Sequence, residues 1–427
     1  MGFDLERIRA RFPSLSLTDN DIPRIYLDNP GGTQVPASVA DAMSDYLLES
    51  NANIGGGFVT SNKTDQVMAE VHAAAADLLN APSADEIVFG QNMTTITLHM
   101  SRSIGRLFEA GDEIVLAHMC HDGNISPWLL LARDLDLEVL WLPFNRETYE
   151  YDPDAIDNVL SDRTRLVCIG AASNMTGTIN NVKAIAAKAR EAGAMTYVDA
   201  VQSVPHVSTD VQDLGCDFLA CSAYKFFGPH QGMLWGRREI LEQLEPYKVR
   251  PAPETIPSCF ETGTQSHEGM AGTVAAIDYL AWVGETMAGD WMGPHARFEG
   301  RRKCVHAAMD CLFDYETSIA RHLIGGLQQL PGVRIHGITD TDAMHRRVPT
   351  VALTIEGIDP GVIASELAAR NIFVWHGDYY AVEVARTLGI LETGGAVRIG
   401  PVHYNSEAEI DAVLNALEDI MPNAAPD

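Results

Sequence analysis

Between about residues 65 and 245 the chain alternates two apolar patterns, and this alternation limits its fold more than any other feature. Stretches such as Asp65–Leu79 and Val182–Ala192 carry apolar residues three and four apart, the spacing of one helix face. Between such stretches stand short continuous apolar runs: EIVFG, DEIVLA, LEVLWLP, TRLVCIGAAS, MTYVDAV and DFLACSAY. Runs of that length suit parallel strands covered on both faces. Strands alternating with helices predict an α/β domain, a mostly parallel sheet sandwiched by helices.

The pattern changes near Pro251. RPAPETIPSCFETGTQSHEG is rich in proline, glycine and polar residues and reads as a long ordered loop. Helical spacing returns over about 268–287 and 296–330. Beyond it, strands (GVRIHGI, TVALTIEG, IFVWHG, AVRIGPVHY) interleave with helices (Gly361–Ala369, Glu407–Ile420), which predicts a smaller α+β domain. At 427 residues the chain exceeds what one core holds, so two domains are expected. The expected division is an N-terminal arm over 1–20, a large domain over 21–290 and a small domain over 291–427. A helix over about 3–12 is expected to pack on the small domain. The tail PNAAPD has a biased composition.

Formal net charge is −28 at pH 7, which disfavours nucleic acid and anionic membranes as partners. The densest basic run, Arg301-Arg302-Lys303, reads as a solvated helix start. The opening MGFDLERIRAR has no apolar core of a secretory signal, and no apolar stretch approaches a bilayer span. The seven cysteines are odd in number and form no C-x-x-C pair. They read as buried thiols of a cytoplasmic protein.

Three strand ends carry chemistry. DFLACSAY runs into Lys225, followed by aromatics and Gly228-Pro229. Burial there lowers a lysine's pKa and frees its amine for imine chemistry with a carbonyl cofactor. The alternative is a lysine that reaches back to solvent. TYVDAVQSVPH ends a strand at Asp199, with Gln202 just beyond. Ligands of open α/β sheets sit outside the carboxyl ends of strands, so Asp199 and Lys225 can face one ligand. A carboxylate there can pair with a protonated pyridine nitrogen; it can equally cap a helix. EIVFGQNMTTITLHMS offers a strand, a turn, then Thr94 and Thr95 opening a helix, which suits either an anion site or plain capping. His121, after DEIVLA, is placed to stack on a flat ring or to sit in a solvated loop. NPGGT and NIGGG lack the spacing of a dinucleotide fingerprint. Cys120 with His121, or His336 with His345, lack zinc-like spacing, so no metal is expected.

Together these motifs resemble the class V aminotransferases of pyridoxal-5′-phosphate (PLP) fold type I, in the cysteine desulfurase and selenocysteine lyase branch. The resemblance runs from YLDNPGGTQVP to VRIGPVHYNSEAEID, nearly the whole chain. It implies a seven-stranded sheet in the large domain, PLP as cofactor and a homodimer acting on a small amino acid. SAYKFFGPHQG implies that Lys225 holds PLP as an imine and that Ser222 binds its phosphate. YVDAVQSVPH implies Asp199 on the ring nitrogen and Gln202 on the ring hydroxyl. NMTT implies Thr94 on the phosphate, with Met93 beside it. SNMTGTI implies Asn174 near ring or substrate, and His121 becomes the stacking residue. FETGTQ implies that Thr264 reaches the partner subunit's phosphate. AVRIGPVHYNS implies that Arg398 grips the substrate α-carboxylate.

Two departures matter. The loop FVWHGDYYAVEVARTLGILETGGAVR contains no cysteine, whereas desulfurases of the family carry a nucleophilic one there. Tyr224 stands where the family has a histidine before the lysine. The first departure points to a C–S lyase that releases its sulfur product directly, with Lys225 as the Cα base. Transamination, epimerisation and a non-catalytic binding role are the alternatives. His376, Asp378, Tyr379 and Tyr380 are candidates to shape the side-chain pocket, or pack as a lid. Cys120 and Cys259 are the remaining thiols near site loops that could accept sulfur.

Overall fold

The computed structural model describes residues 2–152 and 154–421; the PNAAPD tail lies outside the described residues. Its main sheet has seven strands: β1 (Ile87–Gly90), β2 (Glu113–Ala117), β3 (Glu138–Leu142), β4 (Thr164–Gly170), β5 (Met195–Asp199), β6 (Phe218–Ser222) and β7 (Gly232–Gly236), in the order β1-β7-β6-β5-β4-β2-β3. Five neighbouring strands run parallel, and β7 is antiparallel to both β1 and β6. The six apolar runs singled out above supply β1 to β6. β7 follows β6 through a short connection without a helix, so strand–helix alternation does not announce it. Its residues, and those of β2, β5 and β6, are buried throughout or nearly so, as a sheet covered on both faces requires.

The helix Val59–Leu79 begins six residues before the expected start. Its first turns show no apolar face because the buried positions are Ser61 and Thr64. Their hydroxyls donate to the carbonyls of Asn53 and of Ser50 and Ala52. The opening helix is only Leu5–Arg9, and Pro13 starts a separate 3-10 turn. Ile8 and Phe12 join the core of the main sheet, while Arg9 bonds the carbonyl of Tyr404 and the carboxylate of Glu409. The segment therefore touches both parts of the chain.

A second sheet holds β8 (Val333–His336), β9 (Val351–Ile355), β10 (Trp375–Gly377) and β11 (Ala396–Ile399), ordered β8-β9-β11-β10 and antiparallel throughout. Its own core includes Leu353 and Val397 from its strands with Ile319, Leu323 and Leu417 from the helices Gly300–Leu327 and Glu407–Ile420. The expected strand IFVWHG divides. Ile372–Phe373 pairs in parallel with Ile25–Tyr26, and only Trp375–Gly377 joins the second sheet. This pairing brings the Asn29-Pro30-Gly31-Gly32 turn between the two sheets. Asp28 bridges to Gly400, where an added Cβ would overlap the Pro30 ring. A third cluster, with Met119, Met175, Ala352, Tyr379 and Val384, holds the loops of the main sheet against the second sheet.

Candidate active site

β4, β5 and β6 end side by side, with Gly170 paired to Asp199, and a cavity of about 510 Å³ opens beyond their carboxyl ends. A crevice there is where open α/β sheets take ligands. After β6 a 3-10 turn, Ala223–Lys225, turns the lysine back into this cavity. Lys225 is 9% exposed and its Nζ donates to the Pro30 carbonyl. Burial, then the Arg398 charge, lower its pKa to about 7. The amine therefore faces inward, not toward solvent.

Asp199 is buried, and one carboxylate oxygen accepts the Val201 N–H at 3.0 Å. That bond closes a local turn, and no α-helix starts at Asp199 to be capped. Burial pushes the carboxyl up to about 6. Gln202 donates through Nε2 to the Pro30 carbonyl at 2.8 Å, while its Oε1 is buried without a partner. The Pro30 carbonyl thus receives both the lysine and the glutamine.

β1 leads into the helix Met93–Gly105, whose N-terminus opens on the cavity. Asn92 caps it by accepting the Thr95 N–H and hydroxyl, which removes the capping role from the threonines. Ser222 accepts the Met93 N–H at 2.9 Å, and Met93 and Thr94 line the cavity. A helix N-terminus flanked by two hydroxyls suits an anion. His121 accepts the Gly123 N–H at Nδ1, so its neutral ring carries hydrogen on Nε2. Burial, with the Lys225 and Arg398 charges, lowers its pKa to about 4. Tyr224 stacks on His230 with ring centroids 4.9 Å apart, and the Lys225 ammonium lies 4.8 Å from the Tyr224 ring centre.

Arg398, on β11, is buried, and its guanidinium lies 4.2 Å over the Tyr379 ring. Nη1 donates to the Asn174 carbonyl at 2.8 Å and Nε has no partner. Burial lowers its pKa to about 10. Asn174 donates through Nδ2 to the Tyr379 carbonyl, leaving its own Oδ1 buried and unpartnered.

Two expected residues, His376 and Asp378, are not brought to the cavity. His376 is exposed and packs near Gly361, because alternation along β10 sends it to the face opposite Trp375. Asp378 closes the turn by accepting the Tyr380 N–H. Thr264 is exposed on a loop anchored by Glu261, which bonds His72 at 2.8 Å and the Phe89 N–H at 2.9 Å. Cys120 and Cys259 are buried and do not line the cavity. Among the described residues, no group of three His, Cys, Asp or Glu side chains is placed to hold a metal. The cavity also contains residues the sequence did not single out: Asp28, Pro30, Gly31, His230 and Trp375. Of these, only the NPGGT turn carried a signal, and its spacing argued for nothing.

The profile of the aminotransferase class-V family matches residues 25–290 and 304–413. The chain belongs to this family. It is 31% identical to an aminotransferase-like protein, FGM3, of Gibberella zeae, covering 98% of this chain and 99% of that protein. It is 30% identical to a cysteine desulfurase of Yersinia pestis over 98% of this chain and 99% of the other. Two cysteine desulfurase structures are similar to it. One is from Thermococcus onnurineus, with TM-score 0.86 and 26% identity over 99% of this chain and 100% of the other. The other is CsdA of Escherichia coli, with TM-score 0.82 and 25% identity over the full length of both chains. The class V family is PLP-dependent, and this chain is a PLP-dependent enzyme of its cysteine desulfurase-like group with the α/β fold of PLP fold type I.

The site's own geometry fits that cofactor. Gln202 Oε1, Asn174 Oδ1 and Arg398 Nε are buried polar atoms without partners around one cavity. Such atoms are costly unless a ligand completes them. Among the described residues, no helix is long and apolar enough to cross a membrane.

Proposed function

We propose that this class V enzyme is a C–S lyase that eliminates sulfur from the β-carbon of a cysteine-type amino acid, without a protein thiol as acceptor. The observation that carries this reading is the absence of a usable thiol. The segment from Trp375 to Arg398 has no cysteine. Cys120, fully buried, has its thiol pushed far above its usual range by burial.

The residues divide the work. Lys225 would hold PLP through its aldehyde, with Asp199 on the ring nitrogen, Gln202 on the ring hydroxyl and His121 against the ring. Ser222, Thr94 and the helix N-terminus at Met93 would hold the phosphate, with Tyr224 flanking the lysine. When bound, PLP supplies an electron sink for the pair left at the substrate Cα. Arg398 holds the substrate α-carboxylate through paired N–H donors, next to Asn174 and Tyr379. Lys225, with a pKa of about 7, has a substantial neutral fraction at neutral pH and takes the Cα proton. Burial raises the Asp199 carboxyl despite the Lys225 charge and the Val201 N–H, so a cationic partner at its carboxylate would favour the ionised form.

We further infer a homodimer in which the exposed Thr264 loop reaches the partner's phosphate site. Seven free cysteines support a cytoplasmic setting. The test is product analysis with cysteine and S-substituted cysteines. Pyruvate, ammonium and the free thiol or sulfide are expected in equal amounts. Alanine with a persulfide on the protein would contradict the reading, and turnover that requires a keto acid would replace it with transamination.

A further inference from the structure

Trp375 and Arg398 are directly paired on the antiparallel strands β10 and β11. Residues so paired project from the same face, with Cβ atoms about 4.5–5.5 Å apart. Both line the cavity, but Arg398 is buried and Trp375 is 63% exposed. An indole left open on a strand forgoes the large burial an aromatic ring normally obtains. Tyr380 repeats the pattern: it lines the cavity, is 69% exposed, and stacks on His121 with centroids 5.5 Å apart.

The backbone beneath these rings is strained. Tyr379 and Tyr380 have φ of 57° and 58°, in the left-handed region that is costly for non-glycine residues. Their carbonyls hold them there. Asn174 Nδ2 donates to the Tyr379 carbonyl at 2.8 Å and the Asp122 N–H to the Tyr380 carbonyl at 2.7 Å. Strained residues over-determined by their surroundings are a mark of function.

We infer that the substrate is a cysteine S-conjugate with an aromatic substituent, whose ring lies against Trp375 and Tyr380. The inference rests on the lyase reading and names its substrate class. With the α-carboxylate on Arg398, the substrate side chain starts beside the paired indole. A bare thiol is too short to cover either ring, whereas a cavity of about 510 Å³ has room for more. Half-buried Asp28, which also lines the cavity, disfavours an anionic substituent.

The reaction balances without an oxidant or reductant. The Cα–H and Cβ–S bonds break, and the Cα–H electron pair becomes the new Cα–Cβ π bond. The Cβ–S pair leaves on sulfur, which takes a proton to give the aryl-bearing thiol. Water then converts the released enamine to pyruvate and ammonium.

The test uses the holoenzyme and two readouts. Binding of 2-amino-5-phenylpentanoate, an isostere of S-benzylcysteine with no leaving group, is compared with that of 2-aminopentanoate by tryptophan fluorescence. Thiol release is compared for S-benzylcysteine and S-methylcysteine, whose leaving groups are alike. The aromatic member of each pair is expected to be favoured by about tenfold. Trp375→Ala and Tyr380→Ala should each cut that preference by about five- to tenfold, and Trp375→Phe should keep most of it. Equal binding of the two ligands, or a preference that survives both alanine variants, overturns the inference. Failure to release thiol from either conjugate would defeat the lyase reading instead, and the ligand preference would still decide the aromatic pocket.

Discussion

Two clusters of ionisable groups lie equally deep in this protein and behave in opposite ways. On the helix Gly300–Leu327, Glu316 is 1% exposed and both its oxygens are bonded, one to His206 at 2.7 Å and the other to the His403 N–H at 2.9 Å. At the end of β5, Asp199 is 6% exposed and has only a turn N–H on its carboxylate. Burial raises the pKa of both. For Glu316 the pairing with His206 and His403 outweighs burial and the net shift is down; for Asp199 burial wins and the shift is up. A buried charge whose partners are present holds a fold together, while one whose partners are missing marks where a ligand belongs.

The comparison can be broken at four points. The largest effect falls on the unpaired side. Lys225→Ala should lower the elimination rate by about 10³- to 10⁴-fold, read as thiol release with added PLP. On the paired side, Glu316→Ala should cost about 3–5 kcal/mol of unfolding free energy, read by urea unfolding of the cofactor-free protein. Asp199→Asn should do the reverse in cofactor-free protein. Because the folded pKa of about 6 lies above the ordinary 3.8, the Asp199 contribution is fully present below pH 3.8 and is lost as pH rises through 6. Above that window the asparagine variant should exceed wild type by on the order of 2–3 kcal/mol, and near pH 4 the two should agree. Glu316→Gln should show the opposite trend, its deficit shrinking on acidification. The smallest effect is expected for Arg398→Lys. Losing the forked donor should raise KM for the amino acid by about tenfold, with kcat moving less.

The main sheet was legible because strands buried on both faces must be apolar along their length. That made β1 to β6 visible, and their carboxyl ends pointed to Asp199 and Lys225; Ser222 came only through the family resemblance. β7 was hidden because an antiparallel return strand breaks the strand–helix alternation. The opposite wall was legible only through family resemblance, which supplied Arg398 and Asn174. His376 has suitable chemistry, yet β-strand alternation turns it away from the cavity and puts Trp375 on the cavity side. Pro30 and Asp28 enter the site through the pairing of Ile25–Tyr26 with Ile372–Phe373, far apart in the chain and with no local signal in NPGGT.

Every other role in the site depends on Lys225 being the amine that holds the cofactor. Borohydride reduction of the PLP-loaded protein, followed by peptide mapping, tests this directly. The pyridoxyl group is expected on Lys225 and on no other lysine. A label on a different lysine, or none on a protein that binds PLP, would contradict it.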